Sequence, residues 1–379
     1  MHHNKFEFSD TSSTSLYLIR AIAAQLVAVG HGIGIILRLK IALILAGLGL
    51  ALFFLISGLL ISYSVFNKMI DKNYTFKYFL INRVSRIYPT LIACLLFLLI
   101  FDGFWFRNPK FYNVASFVFN LFLLNDSFLR VPAFGSARQA WALPLFWWIY
   151  LFFGWIILGS RSTKKRYLHL LGIGFFTIML ILIYSGYMWD IQSNLKFLFL
   201  WVDGVLLLQV LKEIYKYIIE NWTPHKIEHD KTENKLSESQ KQYNYRRKSI
   251  LKIFITLTLA LILLLAIYIL AIYQYSYNFY FLILLIFLLF FFLVYTQITS
   301  FRYSTKAKKV IKFMASYSFT LYLLHYTIFS FFSLFLHSIN NFLLFLIAYL
   351  ITNIISIGVA LPAEMRHDKI NKYLLAKLT

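Results

Sequence analysis

Arg20 and His31 are separated by ten residues in the run Arg-Ala-Ile-Ala-Ala-Gln-Leu-Val-Ala-Val-Gly-His. On an α-helix eleven steps make close to three full turns. Both side chains then share one face, about 16 Å apart along the axis. A neutral imidazole in that setting can take a proton from an attacking hydroxyl and return it to a leaving group. The same spacing fits an arginine that snorkels to an interface and a histidine hydrogen-bonded between helices. Spacing alone leaves both readings open. No His-x-x-x-His pattern and no His/Glu cluster accompanies His31, so no metal site is expected.

Three further stretches carry polar chemistry in apolar surroundings. Residues 79–89, Phe-Leu-Ile-Asn-Arg-Val-Ser-Arg-Ile-Tyr-Pro, place Arg83 and Arg86 three apart. If helical, they present a forked pair of guanidiniums on one side, which suits phosphate groups; positive anchoring at a membrane surface fits equally. Residues 53–61 contain Ser57 and Gly58, one small spot in a bulky run. That spot permits close helix packing, or room for an acyl chain or a pantetheine arm. Residues 316–326 place Tyr322 and His325 three apart, a second polar face or an ordinary interhelical hydrogen-bonding pair. Asp203 is an acid at membrane depth, expected to pair with a cation or polar group and able to orient an imidazole. Asp102 and Asp190 lie near span ends and read as wet.

The elements that must position these residues follow from composition. Of 379 residues, 60% are hydrophobic and only 14% charged, against about a quarter charged in a soluble globule. Forty Phe, 26 Tyr and 8 Trp exceed what a water-soluble core of this size could hide. The expectation is one all-α, polytopic membrane domain over 1–379. A span needs about 20 mostly apolar residues. Ten segments qualify: 16–37, 43–66, 87–106, 141–159, 168–189, 194–211, 250–273, 278–298, 314–336 and 340–363. A shorter apolar stretch, 112–125, reads as re-entrant or interfacial. Residues 212–249, rich in Lys, Glu, Gln and Asn, read as a flexible or loosely helical cytoplasmic insertion.

The net charge of +22 has a topological meaning. With ten spans, loops on the side of the termini, with Lys252 at their border, hold 29 of the 37 Lys and Arg. Positive residues favour the cytoplasm, so both termini are expected there. The basic excess is therefore assigned to orientation and anionic lipid rather than to nucleic acid. Cys94, the single cysteine, excludes an intrachain disulfide. The polar N-terminus and the long run after it do not resemble a cleavable signal.

Taken in this order, the motifs resemble the acyltransferase 3 family of bacterial membrane O-acyltransferases, over about 14–370 apart from 212–249. Arg20 and His31 match its first-helix Arg, ten residues, His arrangement. Phe53 to Gly58 resembles its Phe-Phe-x-x-Ser-Gly helix. Arg83, Arg86 and Pro89 match Arg-x-x-Arg-x-x-Pro, and 316–325 resembles Ser-Tyr-x-x-Tyr-Leu-x-His with one extra residue before Tyr322. The resemblance implies transfer of an acyl group, usually acetyl, from cytoplasmic acyl-CoA to a hydroxyl of a carbohydrate or other acceptor. It implies a multi-pass protein of the bacterial cytoplasmic membrane with no bound cofactor. By similarity His31 is the catalytic base and Arg20 helps hold the donor. Arg83 and Arg86 meet CoA phosphates, Ser57 lies beside the donor, and Asp203, Tyr322 and His325 support the site.

The chain departs from the family pattern in three places. Tyr17 stands where an Asp often precedes the first-helix Arg. Trp141-Ala142-Leu143-Pro144-Leu145-Phe146 lacks the Glu that often follows Trp-Ser/Thr-Leu, so another group or a different acceptor is expected. The chain is also read as lacking the hydrolase-like domain some members carry. Two other functions fit the same spans: a transporter or flippase for a glycan or lipid-linked intermediate, and a non-catalytic scaffold in polysaccharide export.

Overall fold

A computed structural model describes residues 6–163, 165–185, 191–222, 288–297, 299, 301–335 and 340–378. Among these every regular element is helical. Seven helices are long and apolar enough to cross a membrane, so the chain is a multi-pass membrane protein. The expected span 250–273 lies outside the described residues, as do most of 278–298 and of the insertion. Two compact units divide the chain, Met1–Leu206 with Tyr295–Thr379, and Leu207–Val294. The second holds the end of one long helix and the start of a short one.

Helix α1 (Asp10–Gly32) begins at Ser9, whose side chain accepts from the Ser12 amide, satisfying an otherwise orphaned donor. It continues through a π turn at Ile33–Leu37 and stops where Arg38 turns left-handed, φ 56°. Its buried face is built from small residues, among them Ala21, Ala23, Ala24 and Ala28. Small side chains let neighbouring backbones approach, and α1 sits at the centre of its unit. It packs against α2 (Ile41–Lys68), α9 (Thr305–Ser316), α10 (Ser318–Phe335) and α11 (Asn341–Ala360). The remaining elements are α3 (Phe76–Trp105), α4 (Val114–Leu121), α5 (Ala142–Ser162), α6 (Arg166–Tyr184), α7 (Ile191–Trp222), α8 (Leu288–Gln297) and α12 (His367–Leu378). Helix α6 leaves Leu170, Leu171, Phe175 and Ile178 exposed along its length. That is an apolar surface which only lipid can cover at low cost.

Several boundaries differ from expectation for identifiable reasons. Helix α3 starts at Phe76, not 87, because nothing between Phe76 and Tyr88 breaks a helix. Arg83 and Arg86 therefore stand about two and three turns inside it. Helix α10 starts at Ser318, since 314–316 belong to the basic amphipathic α9. The stretch 112–125 holds only the eight-residue α4, capped by the Asn113 side chain and too short to cross a bilayer. Helix α7 runs through 194–211 and on to Trp222, into the start of the expected insertion.

Asp102 is not wet. It is fully buried, accepting from the Ser136 amide at 2.6 Å and the Ser136 hydroxyl at 2.8 Å. That hydroxyl also reaches Thr327 on α10 at 2.7 Å. Gly135 makes this possible. Its φ is +62°, and a Cβ there would strike the Asp102 carboxylate. Asp190 lies outside the described residues.

Asp126, in the loop before α5, is 7% exposed at φ 52°. Burial pushes its carboxyl up to about 6, against the opposing pull of the Asn125 amide, the Ala133 backbone and Arg138. A raised value means that the folded state keeps a proton the unfolded chain has released. Stability therefore falls as pH rises from about 4 to 6 and is flat above. Asp126→Asn, which tolerates the left-handed backbone, is expected to remove that slope. It should gain about 3 kcal/mol at pH 7, read as thermal unfolding in detergent from pH 4 to 8. A parallel pH slope in both proteins would refute the assignment.

Candidate functional site

Two polar clusters lie along α1, one around Arg20 and one around His31. At the first, Arg20 Nη2 donates to Glu364 Oε1 at 2.8 Å. Glu364, 5% exposed, also accepts from the amides of Phe319 and Thr320 and from the Thr320 hydroxyl, at 2.8–3.1 Å. One carboxylate thus caps the first turn of α10 and holds the arginine of α1. This supplies the acid that Tyr17 does not. Arg86 lies close enough to Arg20 and to Arg83 to feel both charges. Three guanidiniums therefore form a chain of which only Arg20 meets the Glu364 carboxylate, and among the described residues neither Arg83 nor Arg86 forms an ion pair. The Arg83 Nε is buried without a hydrogen-bond partner.

Tyr150 of α5 joins the cluster. It interacts with all three arginines, and its hydroxyl reaches Ser57. The Ser57 hydroxyl donates to Phe54 O at 3.0 Å. Gly58 beside it lets α2 meet α7, because a Cβ there would collide with the Trp201 carbonyl. The Ser-Gly pair thus serves helix packing as well as lining the arginine cluster.

At the second cluster two imidazoles meet. His31 Nδ1 lies 2.9 Å from Val27 O and 3.2 Å from His325 Nε2. His325 is fully buried, with its Nδ1 3.0 Å from Leu321 O. A carbonyl can only accept, so in neutral rings both Nδ1 atoms carry the hydrogen. His325 Nε2 and Val27 O share the proton of His31 Nδ1. His31 Nε2 is then the bare acceptor, and the Gln139 side-chain amide donates to it at 2.8 Å. Tyr322 donates to Gln139 O at 2.7 Å and fixes the turn that carries it. Tyr326 meets the His31 ring edge-on at 5.9 Å.

The structure thus brings Arg20, Ser57, Arg83 and Arg86 together at one cluster, and His31, Tyr322 and His325 at the other. It does not bring Asp203 to either. Among the described residues Asp203 has no hydrogen bond or ion pair, contrary to the expected pairing. Gln139, Tyr150 and Glu364 were missed by sequence reasoning. Gln139 stands two residues before Trp141, where a polar side chain preceding the span was the one available signal. The position examined for an acid, Phe146, instead stacks on Phe54 at 3.8 Å. Gln25, between the clusters, is held by Asn353 and Tyr349 at 2.9 and 2.8 Å, a polar tie between α1 and α11.

No curated protein and no solved structure matches the chain. A family model described as an acyltransferase domain matches residues 14–361. That range contains both histidines and all three arginines, so this multi-pass membrane protein belongs to the acyltransferase 3 family and is an acyltransferase.

Proposed function

We propose that the protein takes an acyl group, acetyl in the first instance, from cytoplasmic acyl-CoA. It passes this group to a hydroxyl of a cell-surface or secreted carbohydrate. The observation that carries this reading is the pairing of a cluster of three guanidiniums, beside Tyr150, with an acceptor imidazole about three helical turns away. An anionic donor head at Arg20, Arg83 and Arg86, with Ser57 and Tyr150 beside its arm, would extend its thioester about 16 Å along α1 to His31. The acceptor hydroxyl takes the place of the Gln139 amide at His31 Nε2 and gives up its proton there. Its oxygen bonds to the thioester carbon, the C–S bond breaks, and the thiolate leaves with the proton from His31. His325 and Val27 O steady the Nδ1 proton and stabilise the transient imidazolium. Asp203 has no step in this scheme.

The charge distribution supports ten spans with both termini in the cytoplasm of a bacterium, in the inner membrane. That orientation puts the arginine cluster on the side where acyl-CoA is made. The test is transfer of label from acyl-labelled acetyl-CoA to envelope glycans in inverted membrane vesicles holding the protein. Label in an alkali-labile ester on carbohydrate is expected. Glycan movement without acyl-CoA, and no ester, would refute the reading in favour of transport.

A further inference from the structure

Beyond Arg83, away from His31, lies a cavity of about 510 Å³ between the end of α2, the start of α3 and α12. Its size suits a nucleotide rather than a water cluster. Two aromatic rings, Tyr74 and Tyr78, line it at 6.4 Å and 28° to one another. The Lys68 ammonium stands 5.7 Å over the Tyr74 ring and close enough to Arg83 to feel its charge. Asn371 donates to Asn82 Oδ1 at 2.8 Å, while its own Oδ1 is buried with no partner. Asp71 closes the rim, its carboxylate accepting from the Asn73 amide. One buried polar atom of the cavity wall, Asn371 Oδ1, is thus left without a partner, as is the Nε of Arg83, which lies behind the wall within electrostatic reach of Lys68 and Tyr74. A ligand that completed such an atom would offset the cost of burying it unpaired.

We propose that this cavity takes the adenosine 3′,5′-bisphosphate end of the donor, with α12 as one wall. The inference rests on the acyl-CoA reading above and adds a recognition site to it. A purine lies against Tyr74 and Tyr78, as aromatic faces favour. Its exocyclic amine donates to Asn371 Oδ1, and Asn82 offers a second amide edge. Lys68 and Arg83 meet the phosphates, and Arg86 and Arg20 continue the positive track towards the thioester arm. The family match ends at 361, so Asn371 and the wall it belongs to lie outside the matched domain.

The experiment is calorimetric titration of the detergent-solubilised full chain with four probes: adenosine 3′,5′-bisphosphate, adenosine 5′-monophosphate, S-acetylpantetheine and acetyl-CoA. The bisphosphate is expected to bind and to compete with acetyl-CoA, and the monophosphate to bind more weakly. Asn371→Leu and Lys68→Met are each expected to weaken the bisphosphate roughly tenfold, with S-acetylpantetheine as the arm that never enters the cavity. If Asn371→Leu fails to fold, Lys68→Met and the monophosphate comparison carry the test. Undiminished bisphosphate binding in the variants would overturn the cavity. So would displacement of the bisphosphate by anionic phospholipid alone, which would mark a headgroup site. Acetyl-CoA that binds without competition from the bisphosphate would also overturn the cavity yet leave the donor reading standing. Failure of every probe would remove both.

Discussion

Alanine at His31 is expected to lower acceptor acylation by about 10²–10⁴-fold, the usual worth of a positioned general base. The size of the effect follows from the hydrogen-bond pattern. His31 Nε2 is the one ring nitrogen of the pair that faces a side-chain donor from outside the pair, since both Nδ1 atoms face backbone carbonyls and His325 Nε2 faces His31 itself. His325 cannot substitute, because its Nδ1 is committed to Leu321 O and its Nε2 faces His31. The substitution also strands the Gln139 amide and the His325 acceptor, at about 1–3 kcal/mol each if they stay buried. Activity must therefore be compared at equal folded protein, by melting temperature and by acetyl-CoA affinity. The melting temperature should fall by the cost of those stranded groups, while acetyl-CoA affinity should survive, since the arginine cluster lies three turns away. An acylation rate within a fewfold of wild type in correctly folded His31→Ala would remove His31 from the chemistry.

Glu364→Ala is expected to destabilise the protein by about 3–5 kcal/mol, the cost of leaving a buried charge unpaired. Arg20 would lose its carboxylate while Arg86 still repels it, and the first turn of α10 would lose the acceptor for two amides and a hydroxyl. Glu364→Gln keeps the shape and one acceptor oxygen, so it should fall between. Melting temperatures in detergent should rank wild type, Gln, Ala. Saturating acetyl-CoA should recover part of the Ala deficit, because an anionic ligand can replace the missing charge. Equal melting temperatures for all three would show that the Arg20–Glu364 pair contributes nothing.

The spans were legible wherever apolar residues ran for about twenty positions, as in α1, α2, α5 and α11. The shared face of Arg20 and His31 was legible too, because helix geometry relates residues eleven apart on one element. The start of α3 was not, since the polar and aromatic residues 76–86 lower hydropathy without breaking a helix. Partners from distant elements left no trace in the local pattern. Glu364 sits in a basic tail, Tyr150 is one of 26 tyrosines, and Gln139 lies in a polar loop. The burial of Asp102 depends on one glycine in a left-handed turn 33 positions later. Asp203 shows the converse. An acid within an apolar run invites a functional role, yet none of the described side chains answers it.

The bond between Arg20 and Glu364 joins residues 344 positions apart. At the usual ~5–20 residues per second of synthesis, Arg20 is made about 17–70 s before its carboxylate exists. Through that interval the first helix carries an uncompensated cation among the early spans, and α10 has no cap for its opening turn. The arginine cluster closes only once residue 364 has been made, so a chain stalled before it would hold its arginines without being able to lock them.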